Sequence, residues 1–259
     1  MNALIAILRK EINSTFHVFS IYLILGFFAL ISGFFFFANL VDFHAVSNQF
    51  LDHSSDMVSL PMNFTQAVIT PFFMNLSLIL LLMIPLITMK SFSEERKLGT
   101  FELLLTYPVS DFQIVAAKFL NLAIILCLML LPPGILFTVF FHVKGGVDVA
   151  VFLVAYVGVF LFGFMMISLG MLMSSLTDSQ VVSAVATFLI LMVFWVIGWI
   201  SDWIHPGLSR WIKELWVVEN MRDLTRGVLD TKHIAFFVVT TCFFFFMTIV
   251  SLESRTWKK

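Results

Sequence analysis

Six long stretches of this chain contain no Asp, Glu, Lys or Arg, and this feature limits the possible fold more than any other. Each stretch is close to the ~20 residues that a helix needs to cross a hydrocarbon core ~30 Å thick. Because lipid offers no hydrogen bonds to backbone amides, such runs are expected to be helical, and the ~10-residue alternating segments typical of a β-barrel do not occur. We therefore predict an all-α membrane protein with six transmembrane helices. The predicted spans are about 20–41, 72–89, 119–141, 149–173, 181–200 and 234–252.

The composition excludes two other classes of protein. Hydrophobic residues make up 60% of the 259 residues and charged residues only 12%, against about 25% charged residues in an ordinary soluble domain. A soluble enzyme is thereby excluded. The net charge of −1 lacks the basic excess of a nucleic-acid-binding protein, so we predict no nucleic-acid partner. The sequence contains no G-x-x-x-x-G-K-[ST] motif, and we predict neither a nucleotide site nor a metal site in this chain.

The distribution of Lys and Arg between the connecting segments predicts the orientation. With both termini in the cytoplasm, the cytoplasmic segments carry nine Lys and Arg residues and the outer segments carry six. The first outer loop, residues 42–71, shows the bias most clearly because it contains Asp42, Asp52 and Asp56 but no Lys or Arg. We therefore predict that both termini are cytoplasmic.

Residues 1–19 precede the first span and have the spacing of an amphipathic helix. The apolar residues of this segment fall within one narrow arc of a helical wheel: Ile5, Leu8, Ile12, Phe16 and Phe19. Lys10 and Glu11 fall outside that arc. We predict a helix that lies in the plane of the membrane interface before the chain enters the bilayer. The alternative is a frayed polar lead-in to the first span.

The segment between spans two and three, residues 90–118, carries eight charges among its 29 residues. Its apolar residues fall on one face at helical spacing: Leu98, Phe101, Leu104 and Leu105. We predict a short amphipathic helix that ends before Pro108, with Ser110 as the N-cap of the third span. Such a helix at the cytoplasmic surface is a suitable docking element for a protein partner. The alternative, that it only covers the end of the bundle, is equally compatible with the composition.

The segment between the last two spans, residues 201–233, also has amphipathic spacing, with Ser209 as the expected N-cap. Its apolar residues recur at helical intervals: Trp211, Leu215, Val218, Met221 and Leu224. Three tryptophans are expected in an aromatic belt at the outer interface: Trp203, Trp211 and Trp216. Gly227 is expected to end this helix, and Asp230 or Thr231 to begin the last span. The pattern fits either an interfacial reinforcement or a gate.

The predicted spans are free of charge, because all 31 charged residues, 15 basic and 16 acidic, fall outside them. Proton- and ion-driven carriers retain ionisable residues inside the bilayer, where each costs at least ~2.5 kcal/mol to insert. Energy for transport is therefore expected to come from a partner through the cytoplasmic loop.

Three pairs of small residues permit close approach of helices: Ala29/Gly33, Gly170/Ser174 and Ser183/Thr187.

The charged segment carries a family resemblance. The run Ser93–Leu105, SEERKLGTFELLL, followed by Pro108-Val109-Ser110 and Lys118-Phe119, resembles the cytoplasmic loop of ABC-2 type transporter permeases. It is most similar to the permeases of the gliding-motility and nitrous-oxide-reductase-maturation branch, as is Arg226–Thr231 before the last span. The six-span plan extends the resemblance over residues 1–259, which we interpret as one ABC-2 type transmembrane domain.

The resemblance implies a permease subunit of an ATP-driven transporter of the exporter type, in the bacterial cytoplasmic (inner) membrane. Its implied partners are two cytosolic ABC ATPase subunits, a second permease chain that is identical or similar, and the lipid bilayer; an envelope accessory protein is a further candidate. ATP and Mg²⁺ would be bound by the ATPase, so no cofactor is expected in this chain. In the family, the loop between spans two and three forms a coupling helix that docks on the ATPase, and spans two and five line the dimer interface.

Eight residues match the coupling-helix motif: Glu94, Glu95, Arg96, Gly99, Thr100, Phe101, Glu102 and Leu105. From residue type, we expect Gly99 to allow close backbone packing, and the acidic residues and Arg96 to meet polar groups of the ATPase. Phe101 and Leu105 would anchor on apolar surface. We predict no catalytic residue. Two other functions remain open at this point: a non-transporting membrane anchor that recruits a partner through the same loop, and an autonomous channel.

Overall fold

The computed structural model describes residues 3–52, 64–99, 109–144, 148–203 and 206–256, and within these ranges the chain is helical without strands. In chain order the α-helices are α1 (Ala3–Phe16), α2 (Phe19–Asp52), α3 (Thr70–Thr88), α4 (Lys90–Lys97), α5 (Asp111–Lys144), α6 (Val149–Leu176), α7 (Gln180–Val196), α8 (Pro206–Leu215), α9 (Val217–Thr225) and α10 (Thr231–Thr256). A π-helical turn, Thr65–Ile69, precedes α3, and a 3₁₀ turn, Ile197–Trp203, follows α7.

Six helical stretches in the described part of the chain are long and apolar enough to cross a membrane, which confirms the predicted number. They are built on α2, α3, α5, α6, α7 and α10. Several extend beyond the apolar runs from which they were predicted. The clearest extension is that of α5, which begins at Asp111 rather than near residue 119 because Ser110 caps it. The Ser110 hydroxyl accepts a hydrogen bond from the Gln113 N–H at 3.4 Å, as predicted.

Helix α6 is the central helix of the bundle and packs against α3, α4, α5, α7, α9 and α10. It buries small and flexible side chains, among them Gly163, Met165 and Met166. A Cβ at Gly163 would lie 2.5 Å from Leu126 Cδ2, so α5 and α6 are in close contact there and a larger residue would require the Leu126 side chain to shift. The position of α6 is therefore fixed from several sides at once.

A cluster of phenylalanine rings joins α2, α3, α5 and α6. Phe137 is at its centre, with ring centroids 5.0 Å from Phe36, 5.2 Å from Phe72 and 4.6 Å from Phe152. Edge-to-face and offset-stacked pairs at these distances contribute beyond the area that they bury. This cluster accounts for part of the high phenylalanine content.

Two of the three small-residue pairs lie in helix contacts. A Cβ at Gly170 would overlap the Thr88 side chain, so α6 and α3 are in close contact at this point. Ser183 and Thr187 are fully buried in α7. Gly33 of α2, in contrast, has open space around it within the described residues. Two of the three pairs therefore mark helix contacts within the chain.

Helix α1 is separate from α2, as the amphipathic spacing predicts, and it packs mainly against α5. Its contact face differs from the expected one. Ile5 and Phe19, which belong to the predicted apolar arc, are exposed, whereas Glu11 faces α5 and forms an ion pair with Lys118. The helix is thus attached to the bundle through polar contacts as well as apolar ones.

The segment between the last two spans forms two helices, α8 and α9, instead of the single helix expected from its spacing. The helix is interrupted at Trp216, which has extended backbone angles. Ser209 lies inside α8 rather than at its start. Trp216 donates a hydrogen bond from Nε1 to the Trp195 carbonyl at 2.8 Å and its ring covers Gly198. The side chains of Trp203 and Trp211 lie outside the described part. Gly227 ends α9 with φ of +83°, as predicted.

Candidate functional site

The first part of the charged segment is a rigid continuation of the second span. Residues Ala67–Lys97 form one helical stretch of 31 residues, about 46 Å long at ~1.5 Å per residue. This length exceeds the ~30 Å hydrocarbon core, so α4 extends α3 beyond an apolar layer of that thickness. The end of the bundle that contains α1, α4, the start of α5 and the end of α6 is called the α4 end below.

The join between α3 and α4 is stabilised by a hydroxyl group from α6. Met89 precedes α4 but forms no side-chain cap, which leaves N–H groups of the first turn without an intrahelical partner. Ser174 Oγ accepts hydrogen bonds from the N–H groups of Phe92 and Ser93 at 3.0 and 3.1 Å. The same hydroxyl donates to the Met89 carbonyl at 3.0 Å. Ser174 therefore acts as an N-cap supplied by another helix, and it fixes α4 to the end of α6.

A buried lysine connects α4 with α1 and α5. Lys118 of α5 is only 3% exposed, and its Nζ lies 3.1 Å from Glu11 Oε1 and 3.1 Å from Glu95 Oε2. Lys10 lies 3.6 Å from the other oxygen of Glu95. The ammonium group also stands over the Phe92 ring, 5.2 Å from its centroid. Two carboxylates and an aromatic ring thus compensate the burial of one cation, and removal of any partner would leave an uncompensated buried charge.

An arginine forms the third attachment of α4. The Arg96 side chain is 5% exposed, and its Nη1 lies 3.6 Å from Asp178 Oδ1 in the connection between α6 and α7. The Asp178 carboxylate is itself 77% exposed, so solvent screens this pair more than the Lys118 pairs. From the sequence, Arg96 was expected to contact polar groups of an external partner. In the structure its buried side chain pairs with Asp178 of the same chain.

Helix α4 ends at Gly99, which adopts φ of +69° in the left-handed region. Its N–H donates to the Arg96 carbonyl at 3.0 Å, as is usual where a glycine ends a helix. No atom of the described residues lies within 4 Å of a Cβ built at this position. The backbone angle, rather than close packing within the chain, therefore accounts for glycine here. Leu98 before it is 68% exposed.

The structure thus describes four of the eight predicted docking residues, Glu94, Glu95, Arg96 and Gly99. Glu95 and Arg96 are engaged in contacts inside the chain, while Glu94 is half-buried on α4. The other four lie outside the described residues: Thr100, Phe101, Glu102 and Leu105. The same holds for most of the predicted amphipathic helix between Leu98 and Pro108.

Three residues that hold α4 in place were not predicted from the sequence. Ser174 belongs to a small-residue pair, and Lys118 follows the charged motif, so each had a weak signal. Glu11 had none, because its ion pair joins residues 107 positions apart.

A second polar cluster lies at the opposite end of the bundle, where α9 meets the start of α10. His233 Nδ1 lies 2.7 Å from Asn220 Oδ1, and His233 Nε2 lies 3.2 Å from Asp223 Oδ2. Asn220 also donates from Nδ2 to the carbonyls of Trp216 and Glu214 at 2.9 and 3.2 Å. No hydroxyl or thiol nucleophile takes part in these contacts, so the cluster serves to join two helices.

Comparison with known proteins shows that the chain is similar to a known family. A family model described as ABC-2 family transporter protein matches residues 5–204. The matched range contains Glu11, Glu95, Lys118 and Ser174, and it ends before α8. No curated protein shows a significant match to the chain.

Proposed function

This chain belongs to the ABC-2 family of transporter proteins, and we propose that it is the permease subunit of an ATP-driven exporter. It is an integral multi-pass membrane protein. In the proposed complex, a separate cytosolic ATPase subunit binds ATP and Mg²⁺ and transmits the effect of hydrolysis to the spans. The specific relationship to the gliding-motility and nitrous-oxide-reductase-maturation permeases is part of this proposal and rests on the SEERKLGTFELLL motif.

The continuity of α3 with α4 is the observation that carries the proposal. A force applied to the tip of α4 acts on a single helical stretch that leads directly into the second span. Ser174 attaches the same helix to α6, which contacts most of the other spans. A displacement of α4 is therefore transmitted to the centre of the bundle through backbone and short hydrogen bonds.

The docking surface proposed for the ATPase begins at the exposed tip of α4. Leu98 and Gly99 are exposed there, next to residues 100–108. We assign direct contact with the ATPase to Thr100, Phe101, Glu102 and Leu105, and we place Glu94 beside that surface, on the part of α4 that lines a cavity under α1. Glu95 and Arg96, which are engaged inside the chain, act instead as positioning residues that hold α4 at a fixed angle.

A second permease chain, identical or similar, completes the proposed complex. Spans two and five, which line the dimer interface in the family, pack side by side as α3 and α7. Both carry exposed apolar side chains at helical spacing on their outer faces: Leu78, Leu82 and Leu86 on α3, and Val181, Val185 and Leu189 on α7. These two rows supply an apolar surface suited to a partner helix.

The proposed site of action is the bacterial cytoplasmic membrane, with both termini and the α4 end on the cytoplasmic side. Helix α1 would lie in the interface plane there. An envelope accessory protein is a further proposed partner.

Labelling of single cysteines introduced at Lys97 and at Glu214 tests the orientation, because only the first should react from the cytoplasmic side.

The coupling role is tested with Ser174→Ala in a complex reconstituted in proteoliposomes with the ATPase. We expect the ATPase still to co-purify but its turnover to respond less to the permease, because α4 loses its attachment to α6. Ser168→Ala is the matched control: this buried hydroxyl lies in the same helix and bonds only to its own Phe164 carbonyl, at 2.9 Å. Equal turnover in the two variants would contradict the coupling role.

The docking role is tested with Glu102→Lys, which should abolish co-purification of the ATPase, and with Glu214→Lys as a control at the opposite end. If the unmodified chain binds no P-loop ATPase, the proposed function is wrong. If it binds one but the complex moves no cargo on ATP hydrolysis, the chain is the membrane anchor considered above.

A further inference from the structure

A cavity of about 130 Å³ lies beneath α1 at the α4 end, enclosed by α1, the start of α2, the end of α3, α4 and α5. This is several times the space that one water molecule needs. Its lining includes polar residues, among them Lys90, Glu94 and Asn121, and apolar residues, among them Val18, Ile21 and Leu86. The cavity therefore suits a ligand that has both polar and apolar parts.

The side-chain oxygen of Asn121 is a hydrogen-bond acceptor without a donor among the described residues. The residue is 5% exposed, and its Nδ2 donates to Thr15 Oγ1 at 3.0 Å. Thr15 Oγ1 donates its own hydrogen to the Glu11 carbonyl at 2.8 Å, so it can only accept from Asn121, and this fixes the amide orientation. Asn121 Oδ1 is buried and has no hydrogen-bond partner among the described residues. A buried acceptor of this kind requires a donor.

Two opposite charges on α4 line the same cavity. Lys90 and Glu94 are one helical turn apart and half-buried, yet neither forms an ion pair with any described residue within 4.0 Å. Lys118, by contrast, is already shared by Glu11 and Glu95. The charges that the cavity offers to a ligand are thus one cation and one anion, next to the acceptor of Asn121.

We propose that this cavity binds the headgroup of a phospholipid that carries a primary ammonium group, as in phosphatidylethanolamine. Lys90 pairs with the phosphate, and the ammonium donates to Glu94 and to Asn121 Oδ1. A trimethylated headgroup has no N–H to donate, and a glycerol headgroup has no charge for Glu94. Val18, between α1 and α2, lines the cavity and is also exposed, so the acyl chains leave the cavity there and continue along α2.

This site goes beyond the proposed function, because it requires only that the chain lies in a membrane. It assigns to α1 a role as cover over a bound lipid, and it connects the position of α4 with the surrounding bilayer. The lipid would touch α1, α4 and α5 together, which are the elements that Lys118 connects through its ion pairs and its contact with the Phe92 ring.

Native mass spectrometry of the purified full-length chain tests the site. Phosphatidylethanolamine, phosphatidylcholine and phosphatidylglycerol with the same acyl chains are added in turn. We expect phosphatidylethanolamine to be retained about tenfold better than the others, since a charge-assisted hydrogen bond supplies a difference of that order. Equal retention of the choline or the glycerol lipid would overturn the proposal. So would equally strong binding of soluble phosphoethanolamine, which would assign the cavity to a free phospho-amine.

Asn121→Leu and Glu94→Gln should each remove the preference among lipids. Asn39→Leu is the matched control, since this buried amide in α2 donates to its own helix, at the Phe35 carbonyl 2.8 Å away. Glu94→Gln keeps the test decisive if Asn121→Leu fails to fold, because Glu94 is half-buried and forms no ion pair with any residue that the structure describes. Retention of the preference in Glu94→Gln would contradict the assignment.

Discussion

Helices α4 and α9 are short helices that lie against α6 at opposite ends of the bundle, and different forces hold them. Helix α9 has nine residues and buries Val217, Val218, Met221 and Leu224, with Leu224 against Gly158 of α6. Helix α4 has eight residues and buries only Phe92 and Ser93. Its attachment depends on the Ser174 hydroxyl and on the ion pairs of Glu95 and Arg96.

This difference separates a fixed contact from one that can change. Apolar contacts are non-directional and are lost only as area is exposed. Hydrogen bonds and ion pairs depend on a narrow range of geometry, so a small displacement breaks them, and alternative partners can replace them. A helix that transmits motion is better held by the second kind of contact. We therefore expect α4 to be the movable member of the pair and α9 the fixed one.

The largest effect is expected from Lys118→Met, which removes the buried cation shared by Glu11 and Glu95. Two carboxylates then remain close together with only Lys10, 3.6 Å from Glu95, to compensate them, and the free energy of unfolding should fall by about 3–5 kcal/mol. Unfolding by titration with a denaturing detergent measures the change. The triple variant Glu11→Gln, Glu95→Gln and Lys118→Met should recover most of the loss because all three charges are gone. A single variant as stable as the parent would show that the ion pairs do not hold α4.

Leu224→Ala tests the apolar side of the comparison. Truncation of this buried side chain, 3.0 Å from a Cβ built at Gly158, should cost about 2–5 kcal/mol through lost contacts and the remaining cavity. The same detergent titration measures it. Leu215→Ala in α8 is the control, since Leu215 is exposed and should cost less than about 0.5 kcal/mol. An equal loss in both variants would indicate that α9 is not held by burial.

Much of this architecture could be predicted from the sequence, because the spans follow from hydropathy. The end of the second span could not. The apolar run stops near Met89, but the helix continues to Lys97 because Met89 keeps helical backbone angles and the Ser174 hydroxyl of α6 accepts from the N–H groups of Phe92 and Ser93. Charged residues such as Glu, Lys and Arg are good helix formers, so polarity alone did not mark the helix end.

The partners of the candidate site were harder to predict than its location. The motif directs attention to α4, whose docking role stays a prediction, but the ion pair of Glu11 with Lys118 forms only when α1 folds back on α5. Similarly, the apolar positions of α9 were identified, yet their burial depends on the space that Gly158 leaves on α6. Local spacing indicates which face of a helix is apolar, and only tertiary packing determines what that face meets.

Ser174→Ala should have a smaller effect on stability than either change above. It removes the acceptor for two N–H groups of α4 and leaves them buried, which costs about 1–3 kcal/mol. Hydrogen exchange measured by mass spectrometry should show faster exchange at Phe92 and Ser93 and unchanged exchange in α9. Ser168→Ala again serves as the control. Slow exchange at Phe92 in the Ser174 variant would mean that α4 is capped in another way.

The smallest effect is expected at the glycines that end the two helices, Gly99 after α4 and Gly227 after α9. Both adopt positive φ, so alanine at either position meets the left-handed penalty of about 1–2 kcal/mol. Gly99→Ala should cost only this amount because no atom of the described residues lies within 4 Å of the added Cβ, and Gly99→Asn should cost less, since asparagine tolerates this conformation. Gly227→Ala should cost more, because its Cβ would lie 2.8 Å from Val151 Cγ2 and 3.1 Å from the Val151 Cα. Equal losses at the two glycines, measured by thermal unfolding, would contradict the distinction between a loosely surrounded α4 and a tightly packed α9.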